Sequence, residues 1–128
     1  MISFLRKKIG NIGEKVATDY LKKKGYKILD TNFQNNSGSR LGELDIVALD
    51  KDKEELVFVE VKTRNLKKFG ETLPEENITY SKIRKLSKIA QYYIRQKKME
   101  EMDFRFDAIS VWLDEEAKKA KIKHIISL

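Results

Sequence analysis

The sequence predicts an α/β fold: a mixed β-sheet flanked by helices, with the element order α-β-β-β-α-β-β. Apolar residues recur at helical spacing in two separate stretches. Runs of strand character fill most of the remainder, and no linker, repeat or low-complexity segment divides the 128 residues. That length suits one hydrophobic core, so a single domain over 1–128 is expected.

The elements follow in order. Ile9, Ile12, Val16, Tyr20 and Leu21 mark a first helix over roughly 10–24, with Gly25 where it should stop. Tyr26 to Phe33 reads as a strand, and polar Asn35 to Gly42, which contains Ser-Gly-Ser, as a loop. Glu43 to Asp50 and Leu56 to Arg64 form two strands around the turn Lys51 to Glu55. Asn65 to Tyr80 holds the single proline, Pro74, and is expected to be irregular. Ser81 is the expected N-cap of a second helix reaching about Lys98, whose core stripe is Ile83, Leu86, Ala90, Tyr93 and Ile94. Phe104 to Leu113 and Lys121 to Leu128 are the last strands.

Composition narrows the function classes. With 41% hydrophobic and 37% charged residues the chain is globular with a highly charged surface, not disordered. The absence of cysteine excludes disulfides and thiolate metal sites. Met1 to Ile9 is too short an apolar stretch for a signal peptide and no window approaches a membrane span, so a cytoplasmic location without membrane partners is expected. The net charge is +7, and between Lys62 and Lys98 eleven basic residues stand against three acidic ones. Such a field favours polyanions, nucleic acid above all, although a solvated lysine-rich surface explains charge alone equally well.

The central hairpin carries the chemistry. Side chains alternate along a strand, so Val57, Val59 and Val61 face one side while Leu56, Phe58, Glu60 and Lys62 face the other. Folding the hairpin between Asp52 and Lys53 places Asp45 opposite Glu60 and Glu43 opposite Lys62. Directly opposed side chains have Cβ atoms about 5 Å apart. Two carboxylates at that range cannot both ionise without compensation by a proton, a basic side chain or a divalent cation. Mg²⁺ takes oxygen ligands and often needs only one or two protein carboxylates, and the Val61 carbonyl would offer a further oxygen. Lys62 would then orient an attacking water or neutralise charge on a phosphate. The competing reading is an internal ion-pair cluster of Asp45, Glu60 and Lys62 without metal, and the hairpin alone leaves both open.

Gly42-Glu-Leu-Asp-Ile-Val-Ala followed by Leu56-Val-Phe-Val-Glu-Val-Lys-Thr-Arg64 resembles the core of the YraN-like bacterial protein family. Gly13-Glu-Lys-Val-Ala, Tyr20-Leu, Gly25-Tyr-Lys-Ile-Leu, Phe69-Gly, Pro74-Glu-Glu, Lys82 and Arg105-Phe-Asp107 extend the likeness over nearly the whole chain. That family resembles the PD-(D/E)XK nuclease superfamily and, within it, the archaeal-type Holliday-junction resolvases. The resemblance implies a restriction-endonuclease-like fold and Mg²⁺- or Mn²⁺-dependent phosphodiester hydrolysis. By position, Asp45 matches the first metal-binding acid, Glu60 and Lys62 the Glu-x-Lys pair, and Glu14 a helix-1 glutamate that often joins such sites. The loop Asn35 to Leu41 and the turn Lys51 to Glu55 look slightly longer than is usual for the family. Junction-cutting relatives act in pairs, which admits a homodimer.

Other residues carry less. Glu14 lies at the edge of the first helix's apolar face, where interaction with the helix dipole is its alternative role. Gly10, Gly13 and Ala17 form a strip of small residues suited to close packing on a sheet. Arg84, Lys88, Gln91 and Arg95, with Lys67, Lys68 and Lys82, either form a phosphate track or a solvated face. Arg64 and Lys82 are the preferred substrate contacts. Asp107 is expected to pair with Arg105, and His124 is assigned no chemistry.

The expectation is therefore a metal-dependent endonuclease on DNA, including branched or structured forms. Asp45, Glu60, Val61 and Glu14 would hold the metal, and Lys62 would assist the nucleophile. Its rivals are a non-catalytic nucleic-acid-binding module on a nuclease scaffold, and a structural or interaction protein with an internal ion-pair network.

Overall fold

A computed structural model of the chain describes residues 2–65, 80–114 and 116–128. The elements are α1 (Ile2–Lys23), β1 (Lys27–Gln34), β2 (Glu43–Asp50), β3 (Glu55–Asn65), α2 (Tyr80–Gln96), β4 (Asp103–Asp114) and β5 (Lys119–Ile125). The order α-β-β-β-α-β-β is as expected. The irregular stretch expected around Pro74, with Lys67 and Lys68, lies outside the described residues.

α1 begins well before residue 10. The spacing of Ile9, Ile12 and Val16 extends backward to Leu5 and Ile2, so the helical pattern has no break there. Gly10 and Gly13 resemble a boundary by propensity, but helices carry such residues when something else requires them. The helix stops where Gly25 adopts φ +95°. Gly25 N–H donates to Lys22 O and Tyr26 N–H to Leu21 O, both at 3.0 Å, capping the free carbonyls. α2 ends the same way without glycine: Lys98 takes φ +56° and Met99 N–H donates to Ile94 O at 2.9 Å. Ser81 stands inside α2 rather than at its N-cap, because helical geometry already includes Tyr80.

The five strands among the described residues form one sheet in the order β1-β2-β3-β4-β5. All neighbours are antiparallel except β3 and β4, which run parallel from Glu55↔Asp103 to Asn65↔Leu113. A parallel pair needs a long crossover, and the segment containing α2 supplies it. Each helix seals one face. On the α1 side Ala17 and Leu21 pack with Ile46, Ala48, Val57, Val59, Ile109 and Val111. On the α2 side Ile89, Ala90, Tyr93 and Ile94 pack with Leu44, Val47, Leu56 and Phe58. Ile83, expected in that stripe, is only half-buried, and Ile89 takes its place in the core.

α1 comes close to β3 at Gly13. A Cβ there would lie 2.6–2.7 Å from Thr63 Cγ2 and Cβ, and would overlap its Oγ1. Gly10 has nothing within 4 Å of such an atom, so close packing explains Gly13 and not Gly10.

At the turn end of the central hairpin the structure assembles a buried polar network that the sequence only hinted at. Arg105 donates to Asp107 as expected (Nε to Oδ1, 3.0 Å), but also to Asp50 at 3.1 Å, Glu55 at 2.7 Å and Tyr26 OH at 3.0 Å. Asp107 is fully buried and also contacts His124 Nε2 at 2.7 Å and accepts from Ser127 N–H at 3.0 Å. Tyr20 OH lies 3.2 Å from His124 Nδ1. His124 thus joins helix, sheet and tail. Burial alone would raise the Asp107 pKa, yet its bonds to His124, Arg105 and the Ser127 amide hold it below the usual carboxylate range. β5 ends at Ile125, short of Leu128: Ser127 turns to φ +62° and spends its N–H on Asp107 rather than on a strand ladder.

Candidate active site

The opposite end of the hairpin is where the sheet opens. β2 and β3 pair from Asp50↔Glu55 to Ile46↔Val59. Continuing this register would set Asp45 against Glu60, as expected from the turn, but the ladder stops one step short. On its other side β2 pairs with β1 through Thr31↔Ile46 and Phe33↔Leu44, again omitting the step at Asp45. The alternation of β2 also breaks there. Ile46 and Ala48 enter the α1 core, whereas Leu44 joins Val47 in the α2 core. Asp45 is therefore released from regular pairing with both neighbouring strands.

Its side chain partly replaces the lost ladder. Asp45 Oδ2 accepts a hydrogen bond from Val61 N–H at 2.9 Å. In an extended chain a residue's C=O projects from the same strand edge as its N–H, so the Val61 carbonyl is directed toward this gap. Glu60 pairs with Lys62, Oε1 to Nζ, at 3.1 Å. These two are neighbours on one face of β3, two residues apart. Glu43 does not pair with Lys62, because the strands have separated by then. It accepts instead from Gln34 Nε2 at 3.2 Å and Arg40 at 3.5 Å.

Two clefts meet at the carboxylates. One, of about 520 Å³ between α1 and β3, is lined by Ile9, Gly10, Glu14, Asp45 and residues 60–65. The second, of about 390 Å³ on the α2 side, is lined by Leu41, Gly42, Glu43, Asp45, Glu60, Lys82, Lys85, Leu86 and Ile89. Among the described acidic residues, Asp45 and Glu60 alone line both. Lys85 and Thr63 are lining residues that sequence reasoning missed. Lys85 stands out in the sequence only as one of the basic residues between Lys62 and Lys98, and Thr63 only as part of the strand Leu56 to Arg64.

Electrostatics single out Asp45. Burial, then the nearby Glu60 charge, push its pKa up to about 7 against the lowering effect of the Val61 amide; Glu14 and Glu43 push in the same direction. Glu14 is also raised, first by burial and then by Glu43 and Glu60, with Asn32 acting against them. The pKa of Lys82 is lowered by burial and by Lys62 and Arg64, while Glu60 opposes. The structure thus gathers Asp45, Glu60, Val61 and Lys62, with Glu14 on one flank and Arg64 and Lys82 among the cations around them. Arg64 also donates to the carbonyl of Thr63 at 3.1 Å.

The donor set suits a hard divalent cation. Among the described residues no group of three or more His, Cys, Asp or Glu side chains is arranged to hold a metal, so a cage built from side chains alone is absent from them. Mg²⁺ and Mn²⁺ do not need one: one or two carboxylates, a carbonyl, water and substrate oxygens complete their shell. The pressure on Asp45 to keep a proton is what a cation beside it would relieve.

Comparison with known proteins agrees over most of the chain. A UPF0102 protein of Caldanaerobacter subterraneus is 44% identical over 123 residues, covering 95% of this chain and 94% of its own. One from Alkaliphilus oremlandii is 46% identical over 123 residues, covering 94% and 97%. One from Clostridium acetobutylicum is 44% identical over 121 residues, covering 94% and 93%. Residues 13–111, from the close-packed glycine of α1 into β4, match the family described as "Uncharacterised protein family UPF0102", and the chain belongs to that family.

Proposed function

We propose that this chain is a divalent-metal-dependent endonuclease that hydrolyses phosphodiester bonds in DNA, including branched or structured forms. The observation that carries this reading is Asp45, a carboxyl lifted out of strand pairing into a shared cleft and pushed to a pKa of about 7 by burial and Glu60. Perturbed acids in clefts mark functional sites more often than ordinary surface charges do.

Asp45, Glu60 and the Val61 carbonyl would hold Mg²⁺ or Mn²⁺, with Glu14 as the auxiliary acid from α1. When bound, such a cation stabilises charge on the phosphoryl oxygens and makes a water more acidic. The chain's own residues do the rest. Lys62, held at 3.1 Å from Glu60, is fixed at the edge of the carboxylates, where it can orient the attacking water and offset charge building on the phosphate. Arg64 and Lys82 extend the positive field along which a phosphate backbone would be held.

The deciding experiment is a cleavage panel of linear, flapped and four-way DNA with Mn²⁺, Mg²⁺ and chelator. Metal-dependent cleavage that disappears in Asp45→Ala and Glu60→Gln supports the proposal. Cleavage by Asp45→Ala at the parent's rate sinks the assignment. Salt-sensitive binding without cleavage of any substrate favours the non-catalytic module. The Glu60–Lys62 contact favours the ion-pair reading for Glu60 alone; among the described residues no cation pairs comparably with Asp45.

A further inference from the structure

Asn32 is the most unusual residue of β1. It has φ +52° in the middle of a strand, a left-handed conformation that ordinary side chains avoid and that asparagine tolerates better than most. The register on either side, Thr31↔Ile46 and Phe33↔Leu44, sets it opposite Asp45, at the omitted step of the ladder. A left-handed residue inside a strand re-aims its side chain, as bulges beside functional sites do. On the surface, Asn32 shares a shallow cleft with Glu14, Thr18 and Thr31. There the Asn32 amide lies within interaction range of the Glu14 carboxyl. Glu14 in turn lines the cleft of Asp45 and Glu60.

We infer that Asn32 is a positioning residue for the candidate site: its left-handed backbone, opposite the gap at Asp45, turns its amide toward Glu14 and holds that carboxylate at the edge of the cleft of Asp45 and Glu60, as the auxiliary acid for a cation bound there. This deepens the proposed function and rests on it. Supporting partners that orient metal-binding side chains are worth about 10–100-fold in metal affinity, and an auxiliary ligand belongs at the lower end.

The backbone and the amide can be separated experimentally. Asn32→Gly keeps the left-handed conformation at no steric cost and removes only the side chain. The readouts are Mn²⁺ affinity by titration calorimetry and thermal melting, both without substrate. Asn32→Gly should weaken Mn²⁺ binding about tenfold with little change in melting temperature. Glu14→Gln should weaken it similarly, and adding Asn32→Gly to Glu14→Gln should cause no further loss, as expected of two residues acting through one interaction. Asn32→Gln, which retains an amide but moves it by a methylene, should not restore affinity. Equal Mn²⁺ affinity in parent and Asn32→Gly overturns the inference and leaves the metal site standing. Full additivity of the two substitutions also overturns it. A parent that binds no Mn²⁺ overturns both this inference and the metal-dependent reading.

Discussion

The carboxylate of Asp45 accepts a hydrogen bond from the backbone N–H of Val61 at 2.9 Å, one step beyond the last β2–β3 pair, Ile46↔Val59. A side chain stands in for a strand here. The substitution is incomplete, because a backbone amide cannot balance burial plus the charge of Glu60, and the Asp45 pKa stays near 7. A site that keeps a strained acid for later use lowers the stability of the fold that carries it.

That cost is measurable. Because the folded-state pKa of Asp45 lies above its ordinary value of 3.8, unfolding favours its ionised form. Its contribution is neutral below about pH 4 and becomes increasingly destabilising as pH rises towards 7. Asp45→Asn keeps an oxygen for the Val61 amide and removes the charge. In chelator at pH 8 it should raise stability by about 1–3 kcal/mol and flatten the pH dependence between 4 and 7. Denaturant titrations across that range check this. A structural role for Asp45 predicts the reverse, a loss of stability in Asp45→Asn.

Nucleic-acid binding should report the cations separately from the acids. Lys82→Ala and Arg64→Ala should each weaken DNA binding and reduce the slope of log K against log salt by about 1, with little effect on Mn²⁺ affinity. Fluorescence anisotropy at several salt concentrations reads both quantities. Unchanged slopes would place these side chains off the phosphate path.

Helix–sheet contact gives a paired test at two glycines. Gly13→Ala places a methyl group on Thr63 and should cost about 1–3 kcal/mol despite its better helix propensity. Gly10→Ala meets nothing within 4 Å and should gain up to about 1 kcal/mol. Thermal melts of the two variants should therefore shift in opposite directions.

The buried network at the far end should set acid stability. The Asp107 pKa is depressed, so its contribution is present above the unfolded value of 3.8 and is lost as pH falls below it. Arg105→Met leaves Asp50, Glu55 and Asp107 without their common cation and should destabilise the fold by about 3–5 kcal/mol at pH 7, with a partial recovery in acid. Circular dichroism against denaturant at pH 7, pH 4 and pH 2 checks both statements.

Local patterns in the sequence determined the order of elements, the stop of α1 at Gly25 and the turn that points Asp45 toward Glu60. These depend on neighbours along the chain: helical spacing, strand alternation and the twofold symmetry of a hairpin. Tertiary structure decided what those patterns leave free. Sequence alternation says that Asp45 and Glu60 share a face, but not that β2 lets go of both its neighbours at Asp45. That break depends on a left-handed Asn32 in another strand and on Leu44 turning to the α2 core. His124 had no visible partner in sequence because Asp107 and Tyr20 reach it from β4 and α1. The approach of Gly13 to Thr63 joins residues far apart in the chain. Contacts of this kind follow from how two layers fit together, and no local period of hydrophobicity encodes them.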